Sequence, residues 1–470
     1  MKIAIVSERA RGRGASEASW NLATELENEG HDIGYFFAEK SELADSHFRL
    51  ARQFGSWEET NFDIKEIRKC KYGSDKWLEA LVARRNNLAN IKSSLMAYLS
   101  QFAPDIVHVH NVGAIGGHNL VASLGRSYPV IWTAHDRYPF ELFHNKWIIR
   151  EREFTTWEYS PNKEPTMIGF EMFKSLPFKI QFLTPSNWLT EIGKTKLTSS
   201  VHPVTTVPNL IPEMGKVSAK RLAQSLGVDL VGLSVITDTK YELKGFETIK
   251  KAMKEFQVNN PDKKVAIVVT TTNHLGLSDR NIYSLFDLFY LGIVTDNGYL
   301  SKADMSKLYA GSDVLIVTSL AENMPNVIIE ASSMSIPTIG TDVGGIPEVV
   351  QDGKTGWVIP PENAESLNIA LTEATSNPDM RIKMGENAKE SYESSFSPTV
   401  VLKQHEAIYQ KCVSEYGENP LFKFPHSEME LGETKYPPQD LSQRYENMNR
   451  LGLRSKLAVR ISKLPFVGKS

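Results

Sequence analysis

The sequence predicts an α/β protein of two doubly wound, Rossmann-like domains that face each other across a cleft. Short apolar runs alternate with amphipathic helical stretches, a βαβ pattern that forces parallel strand pairing and a helix-covered sheet. The alternation lapses once, over residues 208–228, and then restarts. At 470 residues the chain exceeds what one hydrophobic core serves, so two domains of ordinary size are expected.

The first set opens with strand Ile3–Ser7, the loop Glu8–Gly14 and a helix from Ala15 to Glu29. Ala18, Leu22 and Leu26 share one face of that helix, and Gly30 stops it. Strands Ile33–Phe37, Ile106–His110, Val130–Thr133 and Phe182–Thr184 follow. The last leads into a helix over Asn187–Lys194, with Ser186 as a natural N-cap. Residues 40–100 are charged and mostly helical in pattern, whereas 141–175 show no clean period. VPNLIPEMGKVSAKRLAQSLGV reads as the connection between domains plus a short helix. The second set has strands Val231–Ile236, Val265–Thr271, Val314–Val317, Thr338–Gly340 and Trp357–Ile359. Ser301 with Asp304 resembles a capping box ahead of a helix at Lys302–Ala310. Helices near Ala364–Thr375 and Arg381–Glu390 complete the set, and Pro398 to Cys412 is one more helical stretch. The expected domains are therefore 1–207 and 229–397, with 208–228 between them and a basic tail over 414–470.

Composition narrows the function classes. With 41% hydrophobic and 23% charged residues, neither disorder nor a membrane span is the default. No apolar run reaches the length of a spanning helix, and the apolar part of MKIAIVSER is too short for a signal peptide. The two cysteines, Cys70 and Cys412, imply neither a disulfide framework nor a cysteine zinc site, which fits a reducing, cytoplasmic compartment. A net charge of −3 argues against a nucleic-acid partner.

The chemistry concentrates in SLAENMPNVIIEASSMSIPTIGTDVGGIPEVVQDGKTGWVIPP, residues 319–361. Glu322 and Glu330 lie across a loop that runs into a helix, with Asn323 and Pro325 as start signals. Val327, Ile328, Ala331 and Met334 form its apolar stripe. A helix N-terminus presents unpaired N–H groups and the positive end of its dipole, which suits phosphate. Helical side chains lean back toward that end, so Glu330, about one turn in, reaches a ligand seated there. Two acceptor-only carboxylates flanking an anion grip hydroxyls on either side of it, as in a ribose and a sugar joined by a diphosphate. For a bare E-x7-E the bland alternative is a surface helix with two solvated glutamates. The surrounding residues favour the ligand.

Those residues are Ser319, Glu322, Pro325, Asn326, Glu330 and Ala331, then Pro337, Asp342, Gly344, Gly345, Pro347 and Glu348, then Asp352, Gly353 and Gly356. Together they resemble the signature of retaining, GT-B-fold glycosyltransferases of family 4 (glycosyl transferases group 1). The resemblance extends over residues 1 to 413 and implies that the last helix, 398–413, returns to the first domain. It implies further site residues. Gly12 and Gly14 in GRGAS would border the diphosphate, and Glu17 the acceptor; on the residues alone a plain turn serves equally. Glu17 also replaces the third glycine of a dinucleotide fingerprint, which disfavours an NAD-dependent dehydrogenase. His135, in W-T-x-H-D, would lie beside the donor sugar, although an isolated histidine is more often structural. Asp136 is an orienting partner or a cap. His108 and His110 alternate onto one sheet face as packing or acceptor-side residues and make no convincing metal site. Lys244, in YELKGF, would neutralise the diphosphate. An arginine usually precedes it by six residues, but Asp238 stands there, and Lys240 nearby is the substitute cation. A second departure is Leu210, where the family carries glycine.

The expected activity is transfer of a hexose-type sugar from a nucleotide diphosphate donor (UDP or GDP) to a hydroxyl acceptor, with retention. No metal and no cofactor are expected. His135, Glu322 and Lys244 are the catalytic set. Glu322, Asn323, Asn326, Val327 and Glu330 join Lys240, Lys244, Gly12 and Gly14 as the donor site. Glu17 and His110 are on the acceptor side. Surface glycan or exopolysaccharide synthesis, with a glycan or lipid-linked acceptor, is the expected setting. The rivals are a sugar-nucleotide 2-epimerase and a degenerate transferase acting as a binding subunit. From Asn447 onward six basic and no acidic residues accompany Leu453, Leu457, Ile461 and Leu464 at helical spacing. That pattern is a basic amphipathic helix suited to an anionic membrane surface, which would make the protein peripheral on the inner face of the plasma membrane; packing or disorder is the alternative.

Overall fold

The structure, a computed structural model, describes residues 1–11, 14–39, 50–54, 75–140, 146–149, 152–155, 173–198, 200–215, 222–236, 242–270, 288–290 and 301–418. Gly12, Asp238, Lys240, Cys70, most of 141–172 and the tail with its expected amphipathic helix lie outside the described residues.

Strands β1 (Lys2–Arg9), β2 (Asp32–Glu39) and β3 (Leu50–Gln53) flank helix α1 (Gly14–Asn28), which Gly30 ends at a φ of +88°. Helix α2 (Asp75–Phe102) leads to β4 (Ile106–His110), and α3 (Gly117–Gly125) to β5 (Val130–Thr133). A hairpin of β6 (Lys146–Ile149) and β7 (Arg152–Thr155) stands apart within the stretch that had no clean period. Then come β8 (Gln181–Thr184), α4 (Asn187–Lys196) and β9 (Val204–Thr206). The first sheet is parallel throughout, in the order β3-β2-β1-β4-β5-β8-β9.

After α5 (Leu222–Leu226) the plan repeats with β10 (Leu230–Val235), α6 (Phe246–Asn259), β11 (Val265–Thr270), β12 (Leu288–Tyr290) and α7 (Lys302–Gly311). It continues through β13 (Val314–Val317), α8 (Asn326–Ser333), β14 (Thr338–Thr341), α9 (Ile346–Val349), β15 (Gly356–Ile359), α10 (Ala364–Ser376) and α11 (Pro378–Ser391). This sheet is also parallel, ordered β12-β11-β10-β13-β14-β15. VAIVVT and VLIV are buried along their whole length, as strands covered on both faces must be. Ser301 caps α7 as expected, accepting from Asp304 N at 3.1 Å.

Each sheet carries a core on both faces. Ala4 and Val6 of β1 pack with Phe36 and Trp132 on one side, while Ile3 and Ile5 pack with Tyr35 and Leu183 on the other. A π-helical turn, Tyr392–Phe396, ends α11 and redirects the chain into α12 (Pro398–Glu418). Val401, Leu402 and Tyr409 of α12 then join the core beneath Ile3 and Ile5. The helix runs five residues past the expected boundary at 413. The connection is itself buried: Leu210 belongs to the first sheet's core and Ile211 to the second's. In both sheets the strand order reverses beside the first strand, and the crevice outside such strand ends is where open α/β sheets bind ligands.

Candidate active site

On the second sheet, a 3-10 turn at Glu242–Lys244 delivers Lys244 to the crevice beyond β10. Gly245 follows at a φ of +66°, and a Cβ there would lie 1.8 Å from the Thr318 carbonyl oxygen, so only glycine lets the turn approach the β13 exit. Thr318 Oγ1 donates to the carbonyls of Gly245 (3.0 Å) and Lys244 (3.2 Å), and Leu320 N donates to Leu243 O at 2.7 Å. Gly344, at a φ of +57°, seats its Cα against the Glu322 carbonyl, where a Cβ would come within 1.7 Å. Gly345 N donates to Asn323 O at 2.6 Å. The loop carrying Glu322 is thus clamped between the lysine turn and the diglycine turn, and Lys244 Nζ meets Glu322 Oε2 at 2.6 Å.

Helix α8 starts at Asn326, with Pro325 at its N-cap and no side chain capping it. Its buried residues are Ile328, Ile329, Ala331, Ser332 and Ser333, and Val327 of the expected stripe is only half-buried. Glu330 stands one turn in, and Tyr309 of α7 donates to its Oε2 at 2.7 Å. Loss of solvent pushes the Glu330 carboxyl above the usual range; the Tyr309 hydroxyl and the Lys302 charge oppose that, and Glu17 across the cleft adds to it.

On the first sheet, His110 ends β4 and His135 follows β5, with their rings stacked and Nδ1 of His110 3.0 Å from Nε2 of His135. Burial holds both below the usual histidine range, to about 4 for His135. His110, expected on the acceptor side, is 2% exposed. His108 is a packing residue, bonded to Tyr409 Oη and Thr133 Oγ1 at 2.7 Å each. Asp136 caps a turn, accepting from Tyr138 N at 2.8 Å. Gly14 begins α1 without positive φ. Glu17 is ion-paired with Arg11, which also lies over Trp20.

Hydrogen bonds among the described residues join the two sheets across the cleft. Asn323 Nδ2 donates to the His135 carbonyl (2.9 Å), and Ser186 Oγ donates to Asn323 Oδ1 (2.6 Å) while capping α4 through Leu189 N. Asn326 Nδ2 donates to Gly14 O at 3.3 Å. The carboxylate of Glu348 accepts from Asn187 N and Trp188 N at 2.7 Å each, and so caps the N-terminus of α4 from the opposite sheet. Glu348, Tyr309 and Asn209, which donates to Asn326 Oδ1 at 2.9 Å, had no expected role. Glu348 lies within the G-G-x-P-E block, but which helix it would meet is a tertiary fact.

Two family models cover this arrangement. Residues 238–391 match "Glycosyl transferases group 1", and residues 12–165 match "Glycosyltransferase Family 4". The chain belongs to the group 1, family 4 glycosyltransferases. Among relatives, this glycosyltransferase is 34% identical over 112 residues to N-acetyl-alpha-D-glucosaminyl L-malate synthase of Bacillus anthracis, covering 24% of the chain and 29% of that protein. It is 24% identical to an MMP alpha-(1->4)-mannosyltransferase of Mycolicibacterium hassiacum, over 88% of the chain and 99% of that protein. Matches to five curated relatives span only 29% to 53% of their length. Among solved structures, Anabaena HepE in complex with UDP-glucose shares the fold at a TM-score of 0.60 and 15% identity, covering 87% of this chain and 100% of that one.

Proposed function

We propose that this glycosyltransferase moves a hexose-type sugar from a nucleoside diphosphate donor to a hydroxyl acceptor with net retention. The observation that carries the reading is Lys244 paired with Glu322 beside the uncapped N-terminus of α8, with Glu330 one turn in. In this reading the donor's diphosphate takes Lys244 from Glu322 and lies against the amides near Asn326 and Val327, with Asn323 beside it. Such preorganised charge is commonly the largest contribution to catalysis. Glu322 is then released to bind hydroxyls of the transferred sugar, and Glu330 holds the ribose. The bond from the anomeric carbon to the phosphate oxygen breaks as the acceptor oxygen bonds to that carbon. The departing phosphate oxygen takes the acceptor's proton on the same face, giving a nucleoside diphosphate and a glycoside. His135 brackets the sugar from the first sheet, with Gly14 and Glu17 at the border of diphosphate and acceptor.

The N-acetylglucosaminyl and mannosyl relatives support a hexose-type donor sugar, and HepE with UDP-glucose supports a UDP donor. The division at residues 208–228 makes residues 1–207 the acceptor domain and 229–397 the donor domain. A lipid-linked or growing glycan is the acceptor class, reached from the cytoplasmic face of a membrane. Among the described residues no helix is long and apolar enough to cross one. The test is incubation with UDP- and GDP-sugars in excess EDTA, with and without glycan and lipid-linked acceptors, following nucleoside diphosphate release and the anomeric configuration of the product. Release with a retained anomer supports the reading. Interconversion of UDP-N-acetylglucosamine without acceptor, an inverted product, or activity that returns only with Mg²⁺ or Mn²⁺ contradicts it.

A further inference from the structure

Two neighbouring rings at the first-sheet side of the cleft share one hydrogen bond. Nδ1 of His110 and Nε2 of His135 lie 3.0 Å apart. Neither ring carries a charge near neutral pH, because burial and the neighbouring histidines disfavour a second proton on His110, and burial does so on His135. One nitrogen therefore donates and the other accepts. The remaining nitrogen of His110, Nε2, is buried and has no partner among the described residues. A buried N–H without an acceptor is rarer in folded proteins than a buried acceptor without a donor. The His110 proton consequently belongs on Nδ1, where it is used. On the far side, the ring of His108 lies 4.1 Å from that of His110, and Tyr409 and Thr133 fix His108 in turn. His110 cannot rotate without breaking that ring contact.

We propose that His110 is a positioning residue that sets the tautomer of His135: His110 Nδ1–H donates to His135 Nε2, which leaves the proton of His135 on Nδ1. The hydrogen bond made by one imidazole nitrogen decides the state of the other. His135 then offers an N–H donor, and among the described residues its Nδ1 has no partner. A donor suits the oxygen of a sugar hydroxyl or a developing negative charge, where a bare lone pair would repel. The ring is held in place twice, through Nε2 by His110 and through its carbonyl by Asn323 Nδ2 at 2.9 Å. The catalytic part of this inference rests on the reading of His135 as the residue beside the donor sugar.

The test uses full-length protein labelled with ¹⁵N in histidine, with long-range ¹H–¹⁵N correlations reporting which ring nitrogens carry protons. A His135→Gln spectrum identifies the His135 signals by difference. The expected wild-type result is a protonated Nδ1 and an unprotonated, hydrogen-bonded Nε2 on His135; a protonated Nε2 overturns the proposal. His110→Phe should move the His135 proton onto Nε2 and lower kcat by roughly tenfold to a hundredfold at nearly constant donor KM, as expected when one catalytic group is misplaced. His110→Asn, whose side-chain N–H takes the place of Nδ1–H, should restore the Nδ1 proton and most of kcat. Equal kcat in wild type and both variants, with His135→Ala markedly slower, overturns the positioning role while sparing the reading of His135. Wild-type turnover in His135→Ala overturns that reading instead, and the spectra still decide the tautomer.

Discussion

Lowering the pH from 7 to 5 should destabilise the first sheet's domain in preference to the second, and the buried histidines set the magnitude. His118 and His405 are 6% and 4% exposed, and loss of solvent brings each down to about 4. Burial outweighs the backbone bonds each ring makes, His118 Nε2 to Pro139 O and His405 Nδ1 to Val401 O at 2.9 Å, which pull in the opposite direction. An unfolded histidine binds its proton near 6.5, so between pH 6.5 and about 4 the unfolded chain binds more protons than the folded one. The stability is complete above pH 6.5 and is lost as the pH falls toward 4. Integrated from pH 7 to 5, each of the two contributes a loss of about 2 kcal/mol. His108 and His110 shift in the same direction and add to it. Against a typical domain stability of about 5–15 kcal/mol, the pair alone removes a large share. Urea unfolding at pH 7 and 5 measures it, with the fluorescence of Trp132, whose ring lies 5.0 Å from His118, as the local probe. His118→Phe should remove about 2 kcal/mol of the pH dependence. Equal urea midpoints at the two pH values, or an unchanged acid slope in His118→Phe, would refute the reasoning.

Three further outcomes follow from named contacts. Tyr309→Phe removes the hydroxyl that holds Glu330 Oε2 and opposes its upward pKa shift, so donor affinity should fall about fivefold. The pH below which donor binding weakens should also move upward, and calorimetric titration from pH 4 to 8 checks both. Glu348→Ala leaves the N-terminus of α4 without its carboxylate and weakens the cleft contact, so small-angle scattering should report a larger radius of gyration and donor KM should rise by about threefold to tenfold. Unchanged scattering and kinetics would remove Glu348 from the account. The basic segment after Asn447 should bind anionic vesicles, with about 1 kcal/mol for each basic residue at the surface. Co-sedimentation of the full chain against one truncated after Asn447 tests this; equal, salt-insensitive partitioning would end the membrane proposal.

The sequence made the buried parallel strands legible nearly to the residue. Runs such as VAIVVT and VLIV carry apolar side chains to both faces and admit few alternatives at that length. The strands it missed are short: β3, β9 and β12 lie at sheet margins, β6 and β7 form the separate hairpin, and LARQ of β3 and VTT of β9 hold too few apolar residues to show a period. In the site, Lys244 and Glu322 stood out through local motifs, but their ion pair joins positions 78 residues apart. The partners of Glu348 and Asn209 were illegible for the same reason, since a carboxylate 160 residues from the helix it caps gives no local sign of which helix that is. The apolar stripe of α8 was legible as a helix, yet Ile329 replaced Val327 on the buried face because the helix packs against α11, the π-helical turn after it, α9 and β14 together.

The central claim is that Glu330 and Glu322 serve two halves of one nucleotide sugar. It is tested most directly by steady-state transfer kinetics and calorimetric donor binding on Glu330→Ala and Glu322→Ala beside the wild type. The account predicts that Glu330→Ala loses donor affinity, whereas Glu322→Ala binds donor but loses on the order of a hundredfold in kcat, as for one aligned transition-state contact. Near-wild-type binding and turnover in both folded variants would contradict it.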